Sequence, residues 1–256
     1  MKKSILITLV LMLTTSLFGE TGYDIMKKAD EVAEPKTSSS TATLTIHSKK
    51  GSDRLREVIM MSKDYGDVEK SVIVFTTPKD VAGTGYLMFD YDDDDKDSDN
   101  WLYLPAMKKT RRIASSGSES EGSFMGTDFT YDDMGQRHVD EDTHKLLREE
   151  TRNGHKCWVV ESVPVDKHEI YSRKVTWIRQ DCLIADHVEY YDKLNKLHRV
   201  LDIQDVKKIQ GFWTIQKMEM KNVQTEHSTT IVVKNSQYNV KVDKALFTVA
   251  KLEKGL

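Results

Sequence analysis

Seven aspartates crowd one short stretch: Asp90, Asp92, Asp93, Asp94, Asp95, Asp97 and Asp99. Carboxylates at that density are the donors a hard cation takes. Counted from Asp93, they fill the first, third, fifth and seventh places of a calcium-binding loop. Ser98, however, stands where a glycine must turn the chain, and Leu104 where a glutamate must close the site. A solvated, self-repelling hairpin loop is therefore expected. His138, Asp140, Asp142 and His144 would share one face of an extended segment and offer donors that suit zinc. The charged residues that follow favour a solvated strand face. The chain has no His-Glu-x-x-His, no Gly-x-Ser-x-Gly and no phosphate-cradling glycine loop. Neither catalytic residues nor a metal or cofactor is expected, and the chain is read as a non-enzyme.

The other chemistry on offer is burial. Trp101 and Tyr103 share one face of an extended segment and Leu102 and Leu104 the other, so both faces are apolar. Such a strand is expected to be central and covered on both sides, by packed elements or by an apolar ligand. Tyr86–Tyr91 has the same character. Behind Trp101–Pro105 lies the basic cluster Lys108, Lys109, Arg111 and Arg112, suited to a lipid headgroup or an acidic partner, or else a charged hairpin neutralised by the acidic loop. The small, polar stretch Ala114–Gly122 then runs into Phe124, Met125, Phe129, Tyr131 and Met134. A flexible segment bearing aromatics and methionines suits a gate over an apolar cavity. It equally suits a crossover packed into the core.

These blocks carry a resemblance. Gly83-Thr84-Gly85-Tyr86-Leu87-Met88-Phe89, Trp101-Leu102-Tyr103-Leu104-Pro105-Ala106, Lys108, Arg111-Arg112-Ile113, Gly122 to Phe129 and Tyr131-Asp132-Asp133-Met134 together resemble the LolA-like outer-membrane lipoprotein-sorting family. The resemblance implies a periplasmic half-barrel that carries lipid or lipoprotein acyl chains toward the outer membrane. It also implies transient contact with an inner-membrane exporter of the resistance-nodulation-division type. On that reading Leu87, Phe89, Trp101, Tyr103, Phe124, Met125, Phe129 and Tyr131 line the cavity. Two other classes remain: an interaction subunit whose cavity is filled by its own side chains, and an envelope hydrolase.

Lys2 and Lys3 precede an uncharged apolar run, Ile5 to Phe18. The run is shorter than the roughly 20 residues that span a bilayer, so residues 1–19 read as a signal peptide and 20–256 as a single exported domain. No cysteine follows the run to take a lipid. Net charge is −3, with no strongly basic face, which argues against nucleic acid. Cys157 and Cys182 are the only cysteines, and they are either bridged or two buried thiols.

The elements that must position these residues are mostly strands. An amphipathic helix through Ile25, Met26, Ala29, Val32 and Ala33 is expected to end at Pro35. Alternating segments at Ala42–Ile46, Leu55–Met61 and Ser71–Thr77 follow. Asn153-Gly154, the strongest hairpin signal, joins Lys145–Arg152 to Lys156–Val163. Further strands run over Ser172–Arg179, Ile184–Tyr191, Leu197–Val206, Phe212–Lys221 and Ser228–Lys234. Asp243–Phe247 reads as a helical turn that pins the end. The fold class is mainly β (α+β): an incomplete antiparallel β-barrel with covering helices.

Overall fold

The computed structural model describes residues 19–255 except 94, 95, 116, 118 and 168. The expected signal segment, apart from Gly19, lies outside the described residues, as do Asp94 and Asp95 of the acidic loop.

Alternation and tight turns produce two antiparallel meanders. The first contains β1 (Thr37–His47), β2 (Arg54–Asp64), β3 (Val68–Thr77), β4 (Gly85–Tyr91), β5 (Asp99–Leu104) and β6 (Lys109–Ile113). The second contains β7 (Asp142–Arg152), β8 (His155–Pro164), β9 (Arg173–Arg179), β10 (Ala185–Tyr191), β11 (Leu197–Ile209), β12 (Phe212–Asn222) and β13 (His227–Tyr238). Pairing of β1 with β13, with Leu44 opposite Ile231, fuses them into one 13-stranded sheet. Its order is β6-β5-β4-β3-β2-β1-β13-β12-β11-β10-β9-β8-β7. The edges β6 and β7 are consecutive in sequence but do not pair, so the barrel is open there. The segment that joins them must cross from one edge to the other.

Local chemistry explains the connections. Asn153 and Gly154 both take positive φ, 50° and 84°, as the turn between β7 and β8 requires. Helix α1 (Gly22–Asp30) starts in a capping box: the Thr21 hydroxyl accepts from Asp24 N at 3.1 Å, and Asp24 Oδ2 accepts from Thr21 N at 3.0 Å. The helix ends at Asp30, short of the expected Pro35, with Glu31 as its C-cap donating its backbone N–H to the Lys27 carbonyl. Residues 31–35 are thereby freed to wall a cavity, described below. Ile25 of α1 packs on Val160 and Ile178, with Leu146 and Trp158 beside them.

The main core shows that the sheet curls. Ala42, Leu44, Val58, Phe75, Tyr86 and Leu102 from the first meander share one cluster with Val188, Tyr190, Met220 and Ile231 from the second. Strands this far apart in the sheet order meet only across a concave face. On the convex face, Val72, Val74 and Leu87 pack under Phe247 and Leu252 of the chain end. Leu252 belongs to a short helix, α2 (Val249–Lys254), that the sequence pattern did not indicate. The expected turn at Asp243–Phe247 is present as one 3-10 turn, Lys244–Leu246, capped by the Asp243 side chain.

Candidate functional site: a concave face with a latched crossover and an open cavity

The two groups of expected cavity residues fall on opposite faces of the sheet. Tyr86 and Met88 of β4 and Leu102 of β5 point to the concave side; Leu87, Phe89, Trp101 and Tyr103 point away from it. The last four lie beneath the C-terminal segment, with the Phe89 and Trp101 rings 4.9 Å apart. Gly85 permits this cover, because a Cβ there would sit 2.5 Å from Leu252 Cδ1. The second apolar face of β4 and β5 is thus covered by the protein's own C-terminal segment, with Phe247 and Leu252 at its centre. Nor is β5 central: it is second from the edge, flanked by β6.

Phe124, Met125, Phe129 and Tyr131 do lie on the concave side. They belong to the crossover from β6 to β7, and Phe124, Phe129 and Tyr131 are buried in the main core. The Phe124 ring meets Tyr86 edge-on at 5.3 Å and Tyr131 at 5.5 Å. The crossover therefore fills the concavity near the β12–β13 turn.

Polar latches hold it. Asp133 accepts from Arg199 on β11 at 2.6 and 3.1 Å, and Arg199 also donates to the Asp128 carbonyl at 2.6 Å. Burial would raise the Asp133 carboxyl, but the Arg199 charge and the hydrogen bonds from Arg199 and Thr130 outweigh it and keep the carboxyl below its ordinary value. Asp128 binds His227 at 2.8 Å and the Thr229 hydroxyl at 2.7 Å, both on β13. Arg56 on β2 donates to the Met125 carbonyl. The crossover is anchored to both meanders through four side chains of opposite walls.

The far end of the concave face is open. A cavity of about 400 Å³ lies there, within the range of ligand sites. Its floor is the start of β1 and the ends of β2 and β13, with Ser38, Ser40, Ser62 and Val233. Ile184, Trp213 and Ile215 form one wall; Val32, Ala33 and Glu34, just past α1, form another. None of the eight expected cavity residues lines it. Its lining comes from segments distant in the chain, so no local motif marks it.

The remaining candidates disperse. Lys108 sits in the β5–β6 turn, and Lys109, Arg111 and Arg112 form the exposed edge strand β6, where Arg112 pairs with Asp99. The cluster is an edge strand and lies apart from the cavity. Both His144 nitrogens are engaged, with Ser162 Oγ and the Val139 carbonyl at 2.8 Å. Asp142 accepts a two-pronged contact from Arg137 at 2.8 and 2.9 Å. The zinc-like set does not converge, and residues 139–141 form a 3-10 turn instead of extended chain. Cys157 and Cys182 are both buried and free, so they are thiols and not a disulfide. Cys157 pairs in register with Arg179, three positions before Cys182. Burial pushes both thiols up.

Comparison with known proteins places this architecture. A DUF1329 family protein from Desulfovibrio piger is 35% identical, superposes with a TM-score of 0.84, and is matched over 90% of this chain and 96% of its own. The chain belongs to the DUF1329 family. A family profile described as that of an uncharacterized protein matches residues 67–254. This DUF1329 chain is also similar to a domain from Vibrio parahaemolyticus described as outer-membrane lipoprotein-sorting. There the identity is 27% and the TM-score 0.84, with 91% of this chain and 98% of that one covered. A LolA superfamily protein from Nitrosomonas europaea shares the fold at 18% identity and a TM-score of 0.69, over 91% of this chain and 99% of that one. No curated protein matches the chain. The open sheet is a LolA-like half-barrel, as the sequence blocks implied, and the fold is of the carrier type.

Proposed function

We propose that this DUF1329 protein is a periplasmic carrier that binds lipid or lipoprotein acyl chains in the cavity of the half-barrel and moves them toward the outer membrane. No bond is made or broken; the work is binding and release. Burial of hydrocarbon supplies about 0.8 kcal/mol per CH₂ group. The observation that carries the reading is the apolar-walled cavity left at the end of the concave face that the crossover does not fill. The kinship with a lipoprotein-sorting domain supports it.

Phe124, Met125, Phe129 and Tyr131 serve as the inner wall that moves. Release of the Asp128 and Asp133 latches lets the crossover lift and lengthens the cavity for a longer chain. The exposed β6 edge, with Lys109, Arg111 and Arg112, is the surface offered to an inner-membrane exporter or other membrane protein. One observation favours a second reading: the aromatics of the crossover occupy much of the concavity, as expected of an interaction subunit that carries nothing.

Mass spectrometry of organic extracts separates the two. Protein purified from the periplasm without detergent should yield one dominant acyl-chain species near one molecule per protein. Extracts no richer in lipid than those of an unrelated periplasmic protein would contradict the carrier reading.

A further inference from the structure

The most exposed large apolar side chains among the described residues are Leu194 at 75%, Val165 at 61%, Met107 at 59% and Leu55 at 49%. They come from four parts of the chain but from one end of the half-barrel. Because every strand runs antiparallel to its neighbours, the turns alternate between two ends. Met107 lies in the β5–β6 turn, Leu194 in the β10–β11 turn and Val165 just past β8, while Leu55 is the second residue of β2. All four fall at the end opposite the cavity mouth. Polar contacts brace these turns into one rim. Lys49 in the β1–β2 turn pairs with Glu226 in the β12–β13 turn at 2.8 Å. Gln224 of that second turn donates to Asp192 of the β10–β11 turn at 2.9 Å, and Lys193 there donates to the Lys167 carbonyl in the loop after β8 at 2.7 Å. The crossover reaches the same rim, where Asp128 binds His227, the first residue of β13.

The two ends also differ in charge. Exposed lysines flank the apolar tips: Lys108 and Lys109 follow Met107, and Lys193 and Lys196 stand on either side of Leu194. Carboxylates beside them are occupied, since Asp192 accepts from the Leu194 and Lys196 backbone N–H groups at 2.9 Å and Asp53 binds His47 at 2.9 Å. The turns of the opposite end carry Asp67, Asp92, Asp93, Asp97 and Asp181 against one lysine, Lys96. A protein interface would gather its apolar side chains into one patch and shed lysine from it. Here each apolar tip stands on its own turn, and two of the four have lysines at their sides. That is the arrangement of an anchor that enters the headgroup layer while ammonium groups meet lipid phosphates.

We propose that this rim docks on an anionic lipid bilayer, with Met107 and Leu194 as the anchors that enter it. The inference goes beyond the carrier reading and does not depend on what the cavity holds. Docking this way round sets the part of the crossover held by Arg56 and Asp128 against the membrane and turns the acidic end, with the cavity mouth, away from it.

Flotation of protein purified from the periplasm with lipid vesicles tests it. Partitioning onto vesicles of phosphatidylethanolamine and phosphatidylglycerol should exceed that onto phosphatidylcholine vesicles by at least about tenfold, and should fall as salt rises to about 0.5 M. The double variants Met107→Ser/Leu194→Ser and Lys109→Glu/Lys196→Glu should each lower it by about tenfold. Both should keep the thermal midpoint of the wild type, because all four side chains are exposed. Leu147→Ser, which removes an exposed apolar side chain from the β7 edge, should change nothing. Val233→Arg, which blocks the cavity floor, should dock as the wild type does, and so separates docking from uptake of lipid into the cavity. Equal partitioning onto the two vesicle types, undiminished binding by either double variant, or loss of binding in Val233→Arg would overturn the inference. A wild type that binds neither vesicle would assign the rim to a protein partner and overturn it as well. The carrier reading, which is judged on extracted lipid, survives each of these outcomes.

Discussion

Replacing Asp133 with alanine is expected to lower the unfolding free energy by about 3–5 kcal/mol, because it strands Arg199 as an unpaired buried charge. The Arg199 side chain is 3% exposed and Asp133 11%, so water does little to rescue either. Asp133→Asn should cost less, since an amide still offers an oxygen to the guanidinium. A urea titration checks the order of stability, wild type above Asp133→Asn above Asp133→Ala. The effect has a defined pH window. A carboxyl held below its ordinary value contributes its stability in full above about 3.9, and loses it only as pH falls through the lower folded value. The gap between wild type and Asp133→Ala should therefore stay constant from neutral pH down to about 5 and narrow only below about 4.

The second large effect concerns binding without stability. Val233 lies on the cavity floor, on β13 opposite Ala42 of β1. An arginine there fills much of a cavity of about 400 Å³ and places a charge among apolar walls. Affinity for a neutral fluorescent probe, N-phenyl-1-naphthylamine, should fall at least about tenfold, that is by roughly 1.4 kcal/mol or more. Val233→Trp removes volume without adding charge and should act in the same direction. Val233 is only partly buried, so both variants should keep an unfolding midpoint close to that of the wild type. A Phe124→Asp substitution is expected to behave in the opposite way. It places a charge in the packed core and should unfold the protein before it reports on binding.

The half-barrel was legible because its signals are local. Asn153-Gly154 needs only two residues that tolerate positive φ, and the alternation of β1 or β8 repeats within each strand. The doubly apolar character of Trp101–Leu104 was also legible and correctly demanded two covers. It could not say what each cover was, since the residues that bury Trp101 and Tyr103 lie at the far end of the chain. Strand β6 was hidden by its composition: Lys-Thr-Arg-Arg-Ile lacks an apolar alternation because an exposed edge is kept charged. Helix α2, at six residues, is too short to show a periodic face. The cavity is the deepest case. Val32, Ile184, Ile215 and Val233 come together only through the sheet order and the early end of α1.

Photo-crosslinking with a diazirine-bearing fatty alcohol, followed by peptide mapping, tests most directly that this cavity is where cargo sits. The adducts should fall on peptides containing Val32–Ala33, Trp213–Ile215 and Val233. They should disappear when excess unlabelled alcohol competes and when Val233 is replaced by arginine. Adducts confined to the Leu87–Tyr103 face or scattered over the surface, with labelling that neither competitor nor Val233→Arg reduces, would contradict the account.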